Sequence, residues 1–152
     1  MRRERRRPLP TRVASVAATL FLLVGCGSDG DSGGSSGSAP TQSDLDGSTF
    51  TATSTTGSGL VTDSTITLSF ENGTMAVQAG CNAQSAAYGV DAGTLKWSSP
   101  PAATLKACPP ELEAQDAVLS DLFTSGMAAT LDDKTLTLTS DDEDTTLVLE
   151  RD

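Results

Sequence analysis

From Thr65 to Ala79 the chain alternates between polar and apolar residues with almost no break. Ile66, Leu68 and Phe70 fall on one side of an extended backbone, and Thr65, Thr67 and Ser69 fall on the other. Asn72-Gly73 then supplies the two residues that most readily reverse a strand, because both accept positive φ. Met75, Val77 and Ala79 repeat the alternation on the way back. A hairpin of this kind has one greasy face and one wet face. It must be covered on the greasy side, so the fold has to be layered or closed around it.

The rest of the domain reads in the same terms. Ser48–Thr55 is rich in β-branched residues and leads to a turn at Gly57-Ser58-Gly59. A weaker segment around Ala87-Tyr88-Gly89-Val90 is followed by Asp91-Ala92-Gly93 and by Thr94-Leu95-Lys96-Trp97-Ser98. Pro100 and Pro101 break the pattern, and a loop runs to Cys108-Pro109-Pro110. One helix is expected from Glu111 to Ser125. Proline can occupy its first turn, Glu111 and Glu113 suit the positive end of its dipole, and Gly126 can end it. Leu112, Gln115, Val118, Leu119, Leu122 and Phe123 lie on or near one stripe of that helix, with Gln115 as the polar entry. After a bridging segment at Met127–Leu131, Leu136 and Leu138 form one strand, and Leu147 and Leu149 form its partner. One helix cannot cover seven or so strands laid out flat. The expected class is α+β: a strongly curved antiparallel sheet, a partly open barrel, packed with one α-helix on its concave side. The helix stripe would then meet Ile66, Leu68, Phe70 and the terminal leucines.

The front of the chain has a different character. Arg2, Arg3, Arg5, Arg6, Arg7 and Arg12 precede an apolar run from Val13 to Val24, which is twelve residues long. A membrane-spanning helix needs about 20. This is the layout of a secretory signal. Leu23-Val24-Gly25-Cys26 resembles the bacterial lipobox, in which the cysteine thiol receives diacylglycerol and the chain is cut just before it. That resemblance implies a signal peptide over 1–25 and a lipid-bearing Cys26 at the new N-terminus. It places the protein on the cell membrane, facing the extracytoplasmic side. The Gly/Ser-rich stretch that follows suits a tether over 26–44. The paired arginines hint at twin-arginine export, but Pro8 and Pro10 interrupt the flank, so both that route and the general secretory one stay open.

Beyond residue 25 the chain holds four basic residues, Lys96, Lys106, Lys134 and Arg151, against nineteen acidic ones, a formal charge of −15. Such a polyanion is repelled by nucleic acid and by anionic lipid surfaces, so no nucleic-acid partner is expected and attachment falls to the lipid. The roughly 108 residues after the tether suit one domain with a modest core. There is no histidine. Ser-His-Asp and Cys-His catalysis, and zinc sites that use histidine, are therefore excluded within this chain. No metal and no cofactor are called for. With Cys26 set aside, Cys81 and Cys108 remain as an even pair in a compartment that permits disulfides, and they read as a bridge. Two free thiols or a redox pair are the alternatives, and the close C-x-x-C spacing of a redox pair is missing.

Gly80-Cys81-Asn82, a later tyrosine, a Gly-x-Leu-x-Trp strand, and Thr104-Leu105-Lys106-Ala107-Cys108-Pro109 ahead of a glutamate-bearing helix occur in an order that resembles the META domain of HslJ-like bacterial proteins. Lys134-Thr135-Leu136-Thr137-Leu138 and Leu147-Val148-Leu149-Glu150-Arg151 are similar to that family's closing hairpin. The resemblance covers about residues 45–152. Two positions depart from it: Leu45-Asp46-Gly47-Ser48-Thr49-Phe50 lacks the usual tryptophan, and Lys106 stands where a methionine is common. The resemblance implies a small curved-sheet domain linked to envelope stress or secretion, without an agreed reaction or ligand.

Two function classes follow. The first is a non-enzymatic lipoprotein domain, binding or structural, whose partner is an envelope protein or an apolar ligand. The second is a carboxylate-dependent hydrolase acting on cell-envelope polymer. For the first, an apolar slot near Cys81 and Cys108 is expected, with Asn82, Tyr88 and Trp97 as contacts for a peptide or acyl chain. Core side chains filling that slot are the competing outcome, and Asn82 can equally be a turn-forming residue. Asp141-Asp142-Glu143-Asp144, with Asp132-Asp133, invites a calcium reading, but the EF-hand pattern is absent and a solvated turn accounts for it. Glu111 and Glu113 are two apart on a helix and do not face each other.

Overall fold

The computed structural model describes residues 37–152 apart from Glu143. The signal peptide, Cys26 and the Gly/Ser stretch up to residue 36 lie outside the described residues.

A four-residue helix, α1 (Gln42–Leu45), opens the domain. It is followed by β1 (Thr49–Thr56), β2 (Thr67–Glu71), β3 (Thr74–Gln78), β4 (Ala83–Asp91), β5 (Thr94–Trp97) and β6 (Ala102–Ala103). Then come α2 (Pro110–Ser125), β7 (Met127–Asp132), β8 (Thr135–Ser140) and β9 (Thr146–Arg151). All pairings are antiparallel, in the order β3-β2-β1-β9-β8-β7-β5-β4, and β3 also pairs with β4. That last ladder corrects the partly open barrel expected from sequence: eight strands close completely. Closure is available because β4 is nine residues long and pairs with β3 through Thr74↔Ala87 to Gln78↔Ala83, while its far half pairs with β5. β6 adds to β4 alongside β5.

The reading of β2 and β3 holds in register. Asn72 and Gly73 both adopt positive φ, at 51° and 73°, and the inward residues Leu68, Phe70, Met75 and Val77 are buried. The bridging segment at Met127 is in fact strand β7, fully paired with β8. Residues assigned to the tether also belong to the fold. Ser38 bridges to Leu131, and Thr41 and Asp44 form a capping box on α1, whose Leu45 is fully buried. A single short helix carries too little periodic signal to be read in advance.

The two helices sit at opposite ends of the barrel. At one end, Asp46 accepts from the Gly73 N–H, the Tyr88 hydroxyl donates to the Gln42 carbonyl, and Arg151 donates to the Asp44 carbonyl. At the other end, α2 lies across the close of β5 and the start of β4. Leu119 and Phe123 are fully buried, and Phe123 packs 5.6 Å from the Trp97 ring. The helix therefore stoppers an end of the barrel rather than lining a concave face. Gly126 ends it at φ 106°, and a Cβ there would meet Thr94 at 2.7 Å, so only glycine makes this exit.

Candidate functional site

Two places concentrate the polar chemistry of this domain. The first is the corner between β3 and β4. Cys81 and Cys108 are joined by a disulfide, with Cα atoms 6.2 Å apart. Beside it Asn82 acts through its side chain, since its backbone has no positive φ. Asn82 Oδ1 accepts from the Thr104 hydroxyl at 3.0 Å and from the Lys106 N–H at 2.9 Å. Thr104 Oγ1 in turn accepts from the Ala83 N–H at 3.0 Å. The Asn82 N–H donates to Asp116 Oδ2 on α2 at 3.2 Å, and the Lys106 ammonium donates to the Cys81 carbonyl at 3.4 Å. Asp116 is buried, and its Oδ1 has no partner among the described residues. Nothing in the residue pattern singles it out, because a lone aspartate on a helix reads as solvent-facing.

Tyr88 and Trp97 are direct partners across β4 and β5, and Asn82 stands apart from them at the β3–β4 corner. Tyr88 and Trp97 are 4% and 5% exposed and belong to the core. Tyr88 packs on Phe70 with ring centroids 5.0 Å apart, towards the α1 end, whereas Trp97 packs on Phe123 at the α2 end. Burial pushes the Tyr88 hydroxyl up to about 12, with a further push from the Asp46 charge. The hollow beside the disulfide is lined by Thr65, Thr67, Gln78, Asn82 and Lys106, and so it is polar rather than apolar.

The second place is a cleft of about 530 Å³ between α2 and the β8–β9 turn. Val118 and Leu122 form its apolar wall, and Asp121, Asp141, Asp142 and Asp144 stand among serines, a threonine and a glycine around the rest. Sequence reasoning placed the turn acids in solvent and did not connect them with Asp121 on the helix. The Ser140 hydroxyl, bonded to Asp142 Oδ1, and the Asp144 N–H at 3.2 Å hold the Asp142 carboxyl below its ordinary value. Among the described residues no three acidic or cysteine side chains are placed to share a metal ion, and no helix is long and apolar enough to cross a membrane.

Two solved structures share this fold. An NMR structure of a protein from Burkholderia xenovorans is 18% identical, covers 73% of this chain and 86% of its own, and superposes with a TM-score of 0.57. A second NMR structure is 22% identical, covers 73% of this chain and 94% of its own, with a TM-score of 0.55. At these identities the likeness is one of fold alone. No curated protein matches. The META domain family matches residues 43–152, which span both helices and all nine strands apart from the first residue of α1. By that match over most of its length, the chain belongs to the META domain family.

Proposed function

We propose that this chain is an envelope lipoprotein whose META domain works as a binding or structural module with no turnover of its own. A lipid on Cys26 would hold it to the extracytoplasmic face of the cell membrane. The observation that carries the module reading is the filled barrel. Phe50, Phe70, Tyr88, Trp97 and Phe123 are all buried within it, and α1 and α2 stopper its two ends. A barrel packed this way has its outer surface and loops to offer another molecule, in contrast to barrels that hold a ligand in the lumen. The absence of histidine removes the commonest general base and agrees with this. The anchor rests on the Leu23-Val24-Gly25-Cys26 run and the Gly/Ser stretch behind it. A role in envelope stress or secretion is part of the same proposal.

The test is capture from the cell envelope with the full-length chain as bait, after cross-linking in cells. Specific recovery of an envelope protein supports the module. Intact mass tests the anchor: residues 1–25 should be missing and a diacylglyceryl group present. Cys26→Ser should leave the membrane fraction, and its retention there would count against the anchor.

One observation favours a hydrolase: the cleft gathers four aspartates. Hydrolysis of a glycan by paired carboxylates needs one of them to stay protonated as the acid. Hydrogen bonding moves Asp142 the other way. Turnover of cell-wall polymer by the purified protein, lost in Asp121→Asn or Asp142→Asn, would establish the hydrolase instead.

A further inference from the structure

Barrel closure leaves an unusual strand. Among the nine strands, β6 is the one with a neighbour on one side only. Its ladder to β4 pairs Ser85 with Ala102 and Gln84 with Ala103. The Thr104 N–H bonds to the Ala83 carbonyl at 3.0 Å. Hydrogen-bonded and non-bonded pairs alternate along an antiparallel ladder. A bond at the 83–104 position therefore makes 84–103 a non-bonded pair, and the N–H and C=O of Ala103 point away from β4. The Lys106 N–H turns inward like that of Thr104, to Asn82 Oδ1. Leu105 thus faces outward with Ala103, and its amide has no partner among the described residues.

The Leu105 side chain is 97% exposed, and it is the one large apolar side chain left fully in water among the described residues. It is not there through slackness. Asn82 holds Thr104 on one side of it and Lys106 on the other, and the disulfide fixes Cys108 just beyond. A leucine held in place on both flanks has already lost much of the freedom that binding would remove.

We infer that the outer edge of β6, from Ala103 through Leu105, is a docking site for an extended segment of another protein, which adds to the sheet as one more strand. Outward backbone groups call for an extended partner backbone. Leu105 calls for an apolar side chain over it. Lys106 is the one charge between Trp97 and Glu111, in a chain that is otherwise strongly acidic, so it favours an acidic residue beside that apolar one. A second copy would bring a second lysine and a second polyanion. Pro101 has no N–H to offer, which confines the contact to the few residues after it.

This inference rests on the reading of the domain as a binding module, and its test is separate. The probe is a short acetylated peptide of alternating valine and threonine with one glutamate, titrated into the isotope-labelled full-length chain and followed by amide NMR shifts. Shifts should centre on Ala103 and Leu105. Methylating alternate peptide nitrogens should abolish them. Ala103→Pro removes an outward N–H that β4 does not use, and Leu105→Asp removes the apolar anchor. Each should weaken binding at least about tenfold, while Asp133→Asn, at the far end of the barrel, should leave it unchanged. No binding, shifts centred elsewhere, or indifference to methylation would overturn the site. Self-association that Leu105→Asp abolishes would give the edge to a second copy and overturn the partner assigned here. An envelope protein captured equally by the native chain, Ala103→Pro and Leu105→Asp would sink this edge and leave the module reading intact.

Discussion

Gln115 on α2 donates from Nε2 to the Ala79 carbonyl at the end of β3, at 2.7 Å. The same carboxamide accepts, at Oε1, the Val61 N–H at 2.6 Å and the Ser64 hydroxyl at 3.0 Å. A fully buried glutamine on an otherwise apolar stripe thus ties the stopper helix to a strand end and to the β1–β2 loop.

Gln115→Leu keeps the volume and removes both ends of that tie. It leaves a buried carbonyl and a partly buried N–H unpaired, which should cost roughly 3 kcal/mol. Urea unfolding should show the midpoint falling with little change in slope.

Reduction of the Cys81–Cys108 disulfide releases a loop closed over a separation of 27 residues. The chain-entropy relation puts its contribution at about 3.5 kcal/mol. Unfolding with and without reductant should differ by about that amount. The variant Cys81→Ala with Cys108→Ala should match the reduced protein.

Tyr88 is the only tyrosine in the chain, so tyrosinate absorbance reports it alone. Its folded pKa lies above the ordinary 10.0, at about 12. The neutral ring's contribution to stability is complete below the unfolded value and is lost as pH rises from there towards the folded one. Alkaline titration of the folded protein should therefore show late ionisation, with stability declining over that window. Tyr88→Phe should remove the alkaline decline, at a cost of about 1 kcal/mol near neutrality for the lost bond to the Gln42 carbonyl.

Asp44 and Asp142 are both held below the ordinary carboxylate value of 3.8, chiefly by the hydroxyls of Thr41 and Ser140. Each contributes stability that is present above that value and is lost as pH falls through the depressed one. Asp44→Asn and Asp142→Asn should each lower stability near neutrality and flatten its fall in acid, read from denaturant midpoints across the acid range.

What could be read in the residues is what repeats at short range. The β2–β3 hairpin was legible because alternation and Asn72-Gly73 agree, and α2 was legible because its stripe and caps agree, to within one residue at its start. Barrel closure was not legible. The inward positions of β4 are Gln84, Ala86 and Tyr88, one polar and one small, so its alternation is weak where it meets β3. The bridge followed from cysteine parity alone. The acidic cleft joins Asp121 to a turn some twenty residues further along the chain, a meeting that only packing creates. Asn82 carried a turn-forming expectation, yet its work is to hold Thr104 and Lys106 by its carboxamide.

The ladder between β1 and β9 has a consequence for how this domain is made. Phe50 pairs with Arg151, so the first strand waits for the last. A chain that emerges N-terminus first, from a ribosome or a translocation channel, has no native partner for that side of β1 until β9 has emerged. Contacts this distant in sequence slow folding and prolong exposure of the open strand. Loss of the closing strand would strip β1 and β8 of one neighbour each and open the barrel between them.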